Sequence, residues 1–188
     1  MPFAACPLRA PLLPPEARAV LAFWQAEGLG PDHPPEPALA TRLAAHFLVA
    51  HEAAARGERA AWAGMAAGSL ALALLLDQFP RLAFAGTPRS FATDAAARRV
   101  AHAALALAQD LDLPAVWRVF LYLPLGHAEA LSDQELCVAL SSLLPSPHPE
   151  QARARRDQIR RFGRFPARNA VLGRASTAEE RCFLAEAG

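Results

Sequence analysis

The sequence predicts an all-α protein, and three observations carry that prediction. Alanine makes up roughly a quarter of the 188 residues, and Leu, Arg and Glu are also abundant. These are the residues that lose least on entering a helix. The strand formers are scarce: Ile159 and Tyr122 are the sole residues of their types, and alanine is depleted in strands. Apolar residues recur at helical spacing, as at Val20, Phe23 and Trp24 or Leu39, Leu43 and Phe47. About eight antiparallel helices follow, arranged as a bundle or as a tetratricopeptide-like superhelical array.

The elements follow from their start and stop signals. Residues 1–15 hold five prolines, which remove donors and disfavour helix in the residue before them. They read as a poorly ordered lead-in, with one helical domain over 16–188. Helices are expected over about 16–27 and 38–56, the second closed by Gly57 as the residue past its end. An apolar core helix is expected over about 66–79, with Pro80 at its exit. Thr93 reads as an N-cap, with Asp94 in the first turn of a helix reaching about Gln109. Pro114 opens the next, ending near Pro124. Ser132-Asp133-Gln134-Glu135 and Ser176-Thr177-Ala178-Glu179 both have the capping-box pattern. Between them, a helix over about 149–162 ends at Gly163.

Composition also excludes classes. At 53% hydrophobic and a formal net charge of +1, the chain is not intrinsically disordered. The longest apolar run, Met65 to Leu76, is too short to span a bilayer. The start shows no basic region followed by an apolar run, so a cytoplasmic location is expected. Cys6, Cys137 and Cys182 are widely spaced and form no C-x-x-C pair. His51-Glu52 lacks the second His of H-E-x-x-H, because Ala55 stands there. No metal and no cofactor are expected, and neither a Walker A nor a G-x-S-x-G motif is present.

Three segments carry polar chemistry. Asp77-Gln78-Phe79-Pro80-Arg81 ends the apolar helix, so Asp77 can serve as acid, base or acceptor and Arg81 as an anion clamp. The same pattern suits a structural ion pair that holds the exit loop. His127-Ala128-Glu129 follows Tyr122 at a helix exit, where a His beside a carboxylate can be a tuned base or a capping group. Residues 150–174 hold eight arginines against Glu150 and Asp157. That asymmetry points to an anionic partner, or to a solvated face with loop arginines paired internally. Asp77, His127 and Glu129 are thus the candidate catalytic residues. Arg81, Asp94, Tyr122, Arg164, Arg168 and Asn169 are the candidate ligand contacts.

Four motifs in order also carry a resemblance: Leu74-Leu75-Leu76-Asp77-Gln78-Phe79-Pro80-Arg81; Gly86-Thr87-Pro88-Arg89-Ser90-Phe91 through Asp94; Phe120-Leu121-Tyr122-Leu123-Pro124-Leu125 with His127 and Glu129; and Arg161-Phe162-Gly163-Arg164-Phe165-Pro166 with Arg168, Asn169 and Arg174. Across about Val20 to Leu184 the chain resembles the bacterial family called domain of unknown function 924. The resemblance implies an all-helical, tetratricopeptide-like fold and supplies no reaction. Leu82, Ala85, Gly126, Ala128, Arg155 and Ala167 stand where the family usually has other, mostly polar, residues, which implies reduced activity if the family is catalytic. The expected function is binding of a small anionic ligand or a peptide terminus where these motifs converge. The alternatives are a protein-interaction scaffold and, third, RNA binding through residues 153–174.

Overall fold

A computed structural model describes residues 13–186. Among them, eight helices and no strand are found. The expected lead-in over 1–15 lies outside the described residues except for its last three. Of these, Leu13 is buried and Pro15 already opens a helix. The helices are α1 (Pro15–Ala26) and α2 (Pro37–Ala55), then a long α3. The α3 rod is built from an α segment (Ala66–Ala73), a π turn (Leu74–Gln78) and a further α turn (Phe79–Ala83). After it come α4 (Asp94–Ala106), α5 (Ala115–Gly126) and α6 (Leu131–Ser141), then α7 (His148–Phe162) and α8 (Ala178–Glu186). No described helix is long and apolar enough to cross a membrane.

Helix α3 is the axis of the core. Every residue from Ala67 to Pro80 is buried, and α1, α2, α4 and α5 all pack on it. Leu70, Leu74 and Leu75 are fully enclosed, each worth roughly 1.5–3 kcal/mol of burial. The approach is close at Gly68, where a Cβ would stand 2.0 Å from the Trp62 carbonyl oxygen. Only glycine lets the 3₁₀ turn Ala60–Gly64 lie against α3 there.

Pro80 does not end this helix, contrary to the sequence expectation, because other groups take over the backbone bonds it forfeits. The Phe79 N–H bonds to Leu74, five residues back, and passes over Leu75. Pro80 has no N–H to offer Leu75 or Leu76. The Leu75 carbonyl instead accepts from His51 Nδ1 at 2.8 Å, and the Leu76 carbonyl accepts from the Thr93 hydroxyl at 2.6 Å. Thr93 does precede α4 but makes no side-chain cap, since its hydroxyl is spent on Leu76. Two sequence motifs are therefore tied together by one backbone irregularity. It also turns Asp77 inward.

Other boundaries shift for local reasons. Helix α4 stops at Ala106, before Ala108 takes a left-handed conformation. Pro124 lies inside α5, which continues to Gly126. The His127 N–H then bonds the Leu123 carbonyl at 2.8 Å, so the last turn carries His127 at its end. Ser132 does not cap α6, which starts at Leu131 after Ala130. The final box sits one residue later than its pattern suggested. Thr177 Oγ1 accepts from the Glu180 N–H, and Glu180 accepts from the Thr177 N–H.

Candidate functional site

The π turn of α3 places the Asp77 carboxylate in the interior with no exposed side-chain surface. It accepts from His127 Nδ1 at 2.9 and 3.0 Å, from Gln78 Nε2 at 2.7 Å and from Arg81 at 3.0 Å. A carboxylate only accepts, so the His127 ring carries its proton on Nδ1. Nε2 makes no hydrogen bond with any described residue. Arg81 also donates to the Asp77 carbonyl and reaches Asp94, at 2.9 Å from Oδ1. Arg168 also donates to Asp94, at 3.3 Å from Oδ2, and to the His127 carbonyl at 2.9 Å. Both guanidiniums face the Phe91 ring, at 5.7 and 4.8 Å from its centroid, an arrangement that is favourable for a cation over an aromatic face.

Burial and charge set the protonation states. Burial alone would raise the Asp77 pKa, but Arg81 and His127 outweigh it and hold the carboxyl below the usual range. For His127, burial and then the Arg81 charge lower the pKa to about 4, against the opposing pull of Asp77. The imidazole is therefore neutral at physiological pH. Burial raises the Asp94 pKa, and burial together with the Arg81 charge lowers that of Arg168.

A cleft of about 370 Å³ opens in front of this network. Its polar half is formed by Asp94, Arg98, His127, Glu129 and Arg168, and its apolar half includes Pro88, Phe91 and Leu172. The structure thus brings Asp77, Arg81, Asp94, His127, Glu129 and Arg168 together from three distant stretches of chain. Asp77 and Arg81 stand behind the cleft wall. Glu129 is held by Arg174 at 2.7 Å and by the Phe165 N–H at 2.8 Å, so its position is structural as well as cleft-lining.

Tyr122, Arg164 and Asn169 lie outside the cleft. The buried Tyr122 hydroxyl donates to Asp110 at 2.8 Å. Arg164 forms a two-pronged pair with the buried Glu180, and Asn169 donates to Glu180 and Ser176. Arg164 and Asn169 fasten the C-terminal helix through Glu180, whereas Tyr122 ties α5 to the turn that precedes it. Arg98 was missed at the sequence level and lines the cleft, where Asp133 at 3.3 Å is its one ion-pair partner among the described residues. Its signal was present: it stands four residues after Asp94, on the same helix face.

The basic stretch finds its counter-charges within the molecule. Arg153, Arg155, Arg156 and Arg160 pair with Glu150, Asp32, Asp157 and Glu135 respectively. Arg161, Arg164, Arg168 and Arg174 pair with Glu179, Glu180, Asp94 and Glu129. Among the described residues, no group of three or more His, Cys, Asp or Glu is set to hold a metal ion.

The bacterial family of proteins of unknown function designated DUF924 matches residues 20–188. The chain belongs to this family. It is also similar to a solved structure, the protein of unknown function ATU0120 from Agrobacterium tumefaciens. That likeness has a TM-score of 0.86 and 41% sequence identity, and covers 90% of this chain and 97% of the other. A comparison with curated proteins found no match. Family membership and this likeness bear on the fold and carry no reaction.

Proposed function

We propose that the cleft binds a small anionic ligand or the carboxylate end of a peptide, with its charge toward Arg98 and Arg168 and a hydroxyl or N–H of the same ligand donating to His127 Nε2. The observation that carries this reading is the Asp77–His127 pair. A fully buried carboxylate fixes the tautomer of a neutral imidazole whose other nitrogen has no partner among the described residues and whose side chain lines a cleft. That is how a hydrogen-bond acceptor or general base is prepared. Arg98 and Arg168 supply positive charge on the same wall, and Phe91 and Leu172 suit an apolar body. Arg168 is committed to Asp94 and to the His127 carbonyl, so Arg98 is the cation freer to meet a ligand.

A thermal-shift screen of anionic metabolites tests this reading, since binding to the native state raises the melting midpoint by mass action. At least one compound class should raise the midpoint of the native chain. The shift should shrink in Arg98→Ala and vanish in His127→Gln. A shift of the same size in both variants would place the ligand elsewhere.

A second reading is an interaction scaffold with tetratricopeptide-like helix pairing. In its favour, Leu107, Leu111 and Val116 are exposed near one another in the chain around the α4–α5 connection. RNA binding lacks comparable support, because the arginines of 153–174 are each matched by a carboxylate.

A further inference from the structure

Helix α4 borders two separate concavities. Asp94 and Arg98 line the cleft above, whereas Ala96, Arg99 and Val100 line a separate groove of about 270 Å³. The floor of this groove is apolar. Leu72 and Leu76 come up from α3, and Ala54, Ala55 and Ala60 close the far side. The alanines create the space, since larger side chains at those positions would fill it. Two arginines stand at the groove, Arg56 and Arg99.

These two cations differ in how they are engaged. Arg56 is chelated by Glu58 at 2.7 and 3.1 Å. Arg99 is exposed and is the one described arginine with neither an ion pair nor a hydrogen bond. Every arginine of the basic stretch, by contrast, is neutralised by a carboxylate. A concave apolar floor beside an uncompensated guanidinium matches one ligand chemistry: a linear apolar chain ending in an anion. The volume lies just below the range of about 300–1,000 Å³ usual for drug-sized ligands, which favours a short chain over a long lipid. We infer that this groove is a second binding site, for a short-chain amphiphilic carboxylate whose head pairs with Arg99 and whose tail lies over Leu72, Leu76 and Val100. The site is independent of the cleft reading, because it shares none of the cleft's lining residues.

The test is calorimetric titration of the full chain with sodium octanoate, with acetate as the head-only control and n-octanol as the uncharged, tail-bearing control. Octanoate should bind saturably in the millimolar range or tighter, and both controls should bind at least tenfold more weakly. Arg99→Glu should weaken octanoate at least tenfold. Ala55→Phe, which fills the groove from an exposed position, should do the same. Arg98→Ala should leave octanoate affinity unchanged. The inference is overturned by absence of saturable octanoate binding, by octanol binding as well as octanoate, or by affinity that survives both groove substitutions. Loss in Arg98→Ala alone would likewise overturn it, by placing octanoate in the first cleft.

Discussion

At Asp77 and His127, placement in the core decides the chemistry. A carboxylate without exposed surface is unfavourable unless it is paired and hydrogen-bonded, and Asp77 has three side-chain partners. His127 gains orientation from that carboxylate but loses the stabilisation of its own charge to burial and to Arg81. The consequence for stability has a definite sign. The folded pKa of about 4 lies below the ordinary value of 6.5, so between them the unfolded chain binds a proton that the folded chain does not. Stability from this group is complete above pH 6.5 and is lost as pH falls toward 4, by on the order of 3 kcal/mol in all. The depressed pKa of Asp77 acts in a different window, below the usual carboxylate range. Urea unfolding across pH 4–7 should show the first loss in the native chain, and His127→Gln should flatten that part of the profile. An unchanged slope in the variant would mean that His127 is not the group responsible.

On the scale of elements, the π turn in α3 explains how an apolar helix delivers a charge to a cleft. Pro80 deprives the preceding turn of donors, and His51 and Thr93 supply them from α2 and from the start of α4. Removing the Thr93 hydroxyl by Thr93→Val keeps the shape and takes the partner from the buried Leu76 carbonyl. The expected cost is about 1–3 kcal/mol, read as a lower denaturant midpoint. Because Thr93 adjoins Asp94, the Arg81–Asp94 pairing should loosen with it. A midpoint equal to that of the native chain would show that Leu76 has no need of Thr93. This irregularity also marks the limit of sequence reading. The apolar run and the polar exit were both legible, since helical spacing and charge are local. That Pro80 would sit inside a helix was not, because the groups that replace its lost donor, His51 and Thr93, come from α2 and from the residue before α4. Ser132 misled for a related reason. A capping-box pattern states what a residue could bond, and here the chain enters the helix two residues earlier, with Ala130 at the cap position.

For the whole molecule, the near-zero net charge conceals an internal match. Half of the arginines in the basic stretch dock onto carboxylates of the acidic remainder, Arg155 on Asp32, Arg160 on Glu135, Arg168 on Asp94 and Arg174 on Glu129, and the others pair within the C-terminal quarter. Charge asymmetry was legible in the sequence, but its target was not, since pairing across the fold depends on which surfaces meet. The convergence of Asp77, His127 and Arg168 was legible from the motifs. The exclusion of Tyr122, Arg164 and Asn169 was not, because a polar residue in a motif serves structure or ligand according to what stands opposite it. Arg98 shows the reverse case, a cleft residue outside every quoted motif.

The central claim is that a buried Asp77 holds a neutral His127 with one ring nitrogen free for a ligand. Nitrogen-15 NMR of the histidine side chains over a pH series tests it most directly. The His127 ring should be protonated at Nδ1 and bare at Nε2 at pH 7, with no titration until well below pH 6. A ring protonated at Nε2, or one that titrates near pH 6.5, would contradict the account.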